Sequence, residues 1–383
     1  MAQLDYRTAG ESHGQSLIVM IEGLPADLHL DIDLINGELR RRQGGYGRGG
    51  RMKIETDTVN ILSGIRSGAT IGSPMAVQVA NKDWRIDEAP VVNHPRPGHA
   101  DLAGSLKWLT TDCRSTLERA SARETTSRVA AGAIAKCLLL EFGVDVVGFV
   151  RSIGPVEADI DPSLDPEGLR TARDANEAYC PDESAAEKMI EAIRQTKIDK
   201  DTVGGIVEVQ VHGMPPGVGS CFRWQDKLDA RIAGAIVSIQ AFKGAEIGDG
   251  FKVAHKPGSQ VHDAIYYDAS QRNTPNLGFV RKTNRLGGFE GGMTNGQPLI
   301  VRGVMKPIAT LLMGMDSVDL KSKSAQRSDY ERSDVCAVPA ASVVAESVVA
   351  FEVARAMCEK FGADTMNEMK AAYNHYLAAA RNL

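Results

Sequence analysis

Aromatic side chains are scarce, with Phe, Trp and Tyr making up only 5% of 383 residues. Paired cysteines are absent. The six cysteines, at 113, 137, 180, 221, 336 and 358, show no C-x-x-C spacing, which supports neither a zinc site nor a dense disulfide framework. Several, such as Cys137 in KCLLLEF, read as small core residues. No stretch approaches 18 uninterrupted apolar residues, and the opening MAQLDYRTAG carries no charged-then-apolar signal pattern. The expectation from these absences is a soluble protein of a reducing cytoplasm, with no membrane association. A positive excess is missing too. The 44 Lys and Arg stand against 49 Asp and Glu, a net charge of −5. That balance excludes a general binder of nucleic acid or anionic membrane and leaves room for a local basic site.

What is present is apolar residues at 43%, ample for a sizeable core, and 38 glycines, against about 7% in average chains. Alternating runs at 15–23, 74–81, 205–213 and 298–305 predict strands. Segments near 31–42, 117–142, 184–197, 225–242 and 340–361 predict helices, the last through Val344, Val348, Phe351, Ala354, Cys358 and Phe361 at steps of three and four. The halves share an order of parts: IEGLP (21–25) answers VHGMP (211–215), GSPMAVQV (72–79) answers GQPLIVRGV (296–304), and RVAAGAIAKCLLLEFG (128–143) answers SVVAFEVARAMCEKFG (347–362). This suggests a duplicated strand-and-helix unit. Between the units, 157–201 holds 13 acidic residues against 6 basic ones and reads as a solvated excursion. No linker marks an independent domain, so one large α+β domain over 1–383 is expected.

Two motifs fail on context. GESHG (10–14) has the G-x-S-x-G form of a hydrolase elbow, but only nine residues precede it, too few for the upstream strands. It remains either a tight turn with a surface histidine or a turn that presents His13. GYGRGG (45–50) has the G-x-G-x-x-G form with helix before and strand-like chain after, the reverse of a dinucleotide fold. Its surroundings are basic: Arg40, Arg41, Arg42, Arg48, Arg51 and Lys53 occur with no acid between them. Such a loop is either solvated or a pocket in which guanidinium forks pair with phosphate or carboxylate. Arg114, Arg119 and Arg123 crowd the start of an expected helix, where they oppose the dipole unless an anion binds there. Arg327 and Arg332 form a third basic group, and Lys306 to Thr310 follow a strand. His99 lies in a Pro/Gly-rich turn beside Asp101, which could hold its ring. Asp334 precedes an apolar helix, where a helix-end role is the plain alternative. No residue set suggests a metal site.

Together GESHG, RRQGGYGRGGRM (41–52), RPGHAD (96–101), RASARETTSRVAAG (119–132), GAEIGDGF (244–251), TNRLGGFEGGMTNG (283–296), KPIAT (306–310) and RSDVCAVPAA (332–341) resemble the chorismate synthase family over nearly the whole chain. The departures are small, at Ala309 and Gly50. The resemblance implies a β-α-β sandwich, with two antiparallel sheets around a helical layer and an internal pseudo-twofold repeat, assembled as a homotetramer. It implies 1,4-anti elimination of phosphate from 5-enolpyruvylshikimate 3-phosphate, giving chorismate and requiring reduced FMN without net oxidation. His13 would then protonate the leaving phosphate, His99 would adjust flavin charge at N1, and Asp334 would relay the proton at N5. Arg42 and Arg48 match positions tied to anionic substrate or nicotinamide nucleotide. Arg119, Ala120, Ser121, Gln240, Ala241, Gly291, Lys306, Pro307, Ile308, Ala309, Thr310 and Arg332 match flavin-contacting positions. No extra reductase domain is visible, so an external reductant, with NADPH as its source, is expected.

Overall fold

Strict alternation builds the first sheet. On β2 (Ser16–Glu22), Leu17, Val19 and Ile21 are buried while Ile18 and Met20 face outward. These buried residues lie opposite Val79, Val77 and Met75 of β4 (Met75–Ala80), so each apolar side chain meets another across the ladder. With β1 (Asp5–Ala9) and β3 (Asn60–Ile61) the antiparallel order is β1-β2-β4-β3. The structure, a computed structural model, describes residues 3–49, 55–328, 333–362 and 364–383.

The second sheet comprises β5 (Asp145–Ile153), β6 (Val156–Glu157), β7 (Gly205–His212), β8 (Phe242–Ile247) and β9 (Leu299–Met305), in the antiparallel order β8-β9-β7-β5-β6. Apart from the short β6, both sheets place their strands first-second-fourth-third in chain order.

Helix α1 (Ile32–Gln43) begins at Asp31, whose carboxylate accepts the Leu34 N–H, and its last turn carries Arg40, Arg41 and Arg42, the sign a helix C-terminus favours. Short helices α2 (Asp101–Trp108) and α3 (Arg114–Ala120) lead to α4 (Thr125–Leu140). The helix expected over 117–142 is therefore two, because Ser121 is extended (φ −64°, ψ 145°). Next come α5 (Pro166–Asp174), α6 (Glu183–Ile198), α7 (Leu228–Val237), α8 (Val338–Phe361) and α9 (Met366–Ala380).

Helices α4 and α8 are buried nearly all round, the signature of core helices. They pack on each other, α4 also on β2 and β4, α8 also on β5 and β7. One apolar cluster runs through both sheets and both helices, from Leu4 to Met369. The architecture is mixed α/β.

The acidic stretch 157–201 is only half solvated. Leu169 of α5 packs on Val147 and Phe149 of β5, and Ala185, Ala186, Met189 and Ile193 of α6 are buried. Its carboxylates occupy the outward faces, and Asp165 and Asp182 cap the two helices.

Candidate active site

The GESHG turn joins β1 to β2. Gly10 has φ +106° and any Cβ there would overlap the Ser16 carbonyl, so the turn requires glycine. Asn81, just past β4, pins it: its amide donates to the carbonyls of Glu11 (3.2 Å), Ser12 (3.3 Å) and Gly14 (2.7 Å). His13 is held on every side. Its carbonyl accepts the N–H groups of Arg85 and Ile86, its own N–H donates to Glu118 Oε2 (2.8 Å), and its Nδ1 lies 2.9 Å from Glu118 Oε1. Glu118 belongs to α3 and its side chain is wholly buried. Burial alone would raise its carboxyl; the bonds and charge of His13 and the Arg114 bond outweigh this and hold it below its ordinary value.

His99 has a parallel arrangement. Its Nδ1 lies 2.5 Å from Asp101 Oδ1, and Arg96 binds the same carboxylate through its backbone N–H (3.0 Å), Nε (2.8 Å) and Nη2 (3.1 Å). Burial opposes ionisation of Asp101, yet His99 and Arg96 keep its carboxyl well below the usual range. Arg96 also reaches Thr310 Oγ1 (3.0 Å), tying this turn to the segment after β9. There Lys306 donates to the Pro307 carbonyl and has no carboxylate partner among the described residues; burial first, then Lys243, lowers its ammonium pKa.

Asp334 does not cap α8, which starts after Ala337 without a side-chain cap. Instead its carboxylate accepts from Arg48 Nη1 (2.5 Å) and the Gly49 N–H (2.6 Å), so the helix-end alternative gives way to a pairing with the Gly-rich loop. Arg42 donates to Thr125 Oγ1 (2.9 Å) and the Ala122 carbonyl (3.0 Å), with Asp57 at 3.5 Å. Arg123 binds Asp57 (2.7 Å) and Asn81 Oδ1 (2.8 Å). Thus Arg123 finds a carboxylate inside the protein, and Arg119 is no N-terminal residue at all: it sits in the last turn of α3. Burial, then the neighbouring Arg123 and Arg48, lowers Arg42 to about 9 against the partial relief of Asp57. It stays charged at neutral pH and short of negative charge.

These groups surround one cavity of about 690 Å³. His13, His99 and Asp334 line it, as do Arg42, Arg48, Arg96, Arg123 and Lys306. Ala120, Ser121, Gln240, Ala241, Ile308, Ala309 and Thr310 complete the predicted set found there. Pro307 is not part of the lining. Arg119 turns away, exposed, to the carbonyls of Thr8 and Gly10. Gly291 lies in the hairpin whose Gly292 carbonyl accepts the Leu228 N–H, at the opposite end of α7 from Gln240 and Ala241. Arg332, like Arg51 and Lys53, lies outside the described residues. Sequence reasoning missed Glu118, Asn81 and Asp57; each acts through a partner distant in sequence, and no local pattern marks it.

Among the described residues no helix is long and apolar enough to cross a membrane, and no group of three or more His, Cys, Asp or Glu is placed to hold a metal. A family profile described as chorismate synthase matches residues 4–358. A chorismate synthase of Desulforamulus reducens is 52% identical over 386 residues, covering 97% of this chain and 98% of the relative. One of Enterococcus faecalis is 53% identical over 389 residues, covering 98% and 99%. A crystal structure of chorismate synthase superimposes with a TM-score of 0.82 at 40% identity over the whole of both chains. By profile, identity and fold, the chain belongs to the chorismate synthase family, the phosphate-acting lyases of the shikimate pathway.

Proposed function

We propose that the cavity eliminates phosphate from 5-enolpyruvylshikimate 3-phosphate in the 1,4-anti sense, giving chorismate, with reduced FMN bound beside the substrate. The observation that carries this reading is Arg42, buried beside the cavity with Asp57 only at 3.5 Å and shared with Arg123, together with Lys306, which has no carboxylate partner among the described residues. A substrate with one phosphate and two carboxylates supplies the missing negative charge, and desolvated guanidinium forks bind such groups strongly.

The donor set also suits FMN. Gln240, whose Oε1 has no hydrogen-bond partner, is among the residues that line the cavity. Ala120, Ala241, Ile308 and Ala309 form an apolar flank for a flat ring. Gln240, Ser121 and Lys306 to Thr310 would hold it. When bound and reduced, it supplies electron density that assists departure of phosphate. His13 gives a proton to the leaving phosphate. His99, fixed by Asp101, sets the charge beside the cofactor. Asp334 receives in the end the proton that the substrate loses, with Arg48 balancing its charge.

The same reading includes one domain over 1–383, a β-α-β sandwich with pseudo-twofold repeat, a homotetramer and a cytoplasmic location. The shared strand order of the two sheets and the pairing of α4 with α8 support the repeat. The test is anaerobic phosphate release from the substrate with chemically reduced FMN. Release is expected there and not with NADPH and oxidised FMN alone, since reductant comes from outside. No release with reduced FMN and oxygen excluded overturns the proposal.

A further inference from the structure

Glu118 touches His13 twice. Oε2 accepts the His13 backbone N–H at 2.8 Å and lies 3.1 Å from Nδ1, while Oε1 lies 2.9 Å from Nδ1 and accepts Arg114 Nη1 at 3.3 Å. The backbone carbonyl of Glu118 also accepts the Ser12 N–H at 3.0 Å. Every oxygen of the carboxylate therefore faces donors. The neutral imidazole that best satisfies it carries its proton on Nδ1.

We propose that Glu118 is a positioning residue for the reaction: it fixes the His13 ring with Nδ1–H donated to the carboxylate, so that Nε2 is the nitrogen that hands a proton to the leaving group. This rests on the elimination reading above. After Nε2 gives its proton to the departing phosphate oxygen, the ring is left neutral with Nδ1–H intact, and Glu118 stays ionised throughout. No second proton moves. His99 is built differently at this atom: its Nδ1 lies 2.5 Å from Asp101 Oδ1 but also 3.1 Å from Arg96 Nη2, so a donor as well as an acceptor faces that nitrogen.

Glu118→Gln probes this directly. Whichever way the new amide turns, its NH₂ meets a donor: the His13 backbone N–H on one side, Arg114 on the other. The ring is then released from, or forced out of, its tautomer. In the full-length protein kcat is expected to fall about 10- to 10⁴-fold, the range for a displaced acid or its orienting carboxylate. KM stays within about 3-fold, because substrate binding rests on the arginines. The double variant His13→Ala/Glu118→Gln is expected to be no slower than His13→Ala, since Glu118 acts through that ring. In protein labelled with ¹⁵N at histidine, with His13→Ala supplying the assignment, the neutral His13 ring carries its proton on Nδ1 in wild type and loses that preference in the variant. An Nε2–H ring in wild type, additive losses in the double variant, or an unchanged kcat overturns the proposal. Should wild type release no phosphate, the elimination reading fails, and the ring nitrogen shifts still decide how Glu118 holds His13.

Discussion

Asp101 shows how the site's charges bear on stability. The carboxylate is fully buried, and its ionised form is favoured in the folded protein by His99 and Arg96 over the opposing effect of burial. A carboxyl held below its unfolded value of about 3.9 adds stability above that pH, and the contribution drains away as pH falls below it. Asp101→Asn is therefore expected to lower stability at pH 7 and to flatten the acid limb between about pH 5 and 2, measured by urea unfolding across that range. An acid limb as steep as wild type would show that Asp101 is not its source. The residues that hold the site differ in how well they can be read. His13 and His99 are legible because each stands in a Gly-marked turn, whereas the place of Asp334 ahead of an apolar run points to a helix end and only the family resemblance points to the site. Glu118 lies 105 residues from His13, and Asp57 lies 66 from Arg123. Only the fold brings these partners together. Arg119 was misplaced for a related reason: one extended residue, Ser121, moves it from a helix start to a helix end.

At the scale of elements, the crossing of α4 and α8 depends on Gly132. A Cβ there would overlap the Cα, Cβ and carbonyl of Ser347, so the two backbones touch. In an exposed helix, Gly→Ala stabilises by about 1 kcal/mol. Here Gly132→Ala is expected to destabilise by about 1–3 kcal/mol, because neither helix can move without disturbing the sheet on its other side. Chemical denaturation reads the sign, and a stabilised variant would mean that the helices yield. The sequence also shows which elements announce themselves. Strand β2 alternates, so its period of two is legible in the sequence. Strand β5 is buried along most of its length, between α8 on one side and α5 on the other, so its VVGFV run lacks the period of two that marks a strand in sequence. Helix α9, opened by a Thr365–Glu368 capping box and packed through Tyr373 on Phe361, is no easier to read. Its apolar stripe is short, with only Met366 and Met369 buried.

For the whole molecule, the net charge of −5 averages two unlike regions, acidic outward faces on α5 and α6 and a cationic cavity. Between them lies Glu346, in the middle of α8 and only 1% exposed. It accepts from Arg41 of α1 (2.6 Å), Arg173 of α5 (3.2 Å), Lys136 of α4 and the Gly148 N–H of β5 (2.8 Å). One carboxylate thus joins elements from both halves of the chain. It also fixes Arg41, the residue beside Arg42 of the cavity. Burial would raise the Glu346 carboxyl, but Arg41, Lys136 and Arg173 together hold it far below its ordinary value. Its contribution is present above the unfolded value of about 4.3 and is lost as pH falls below that. Glu346→Gln keeps the shape and an acceptor for Gly148, yet leaves three buried cations with Glu38 and the partly exposed Asp174 as their remaining carboxylates. Removing one partner of a buried ionic set costs about 3–5 kcal/mol, and that loss is expected here at pH 7, as a lower denaturant midpoint with an unchanged slope. The gap between variant and wild type should narrow as pH falls below about 4.3, where the carboxyl takes up a proton in the unfolded chain while the folded one stays ionised. A difference under about 1 kcal/mol at pH 7 would mean that Glu38 alone balances the cluster, and that α1 is held to α8 by packing rather than charge.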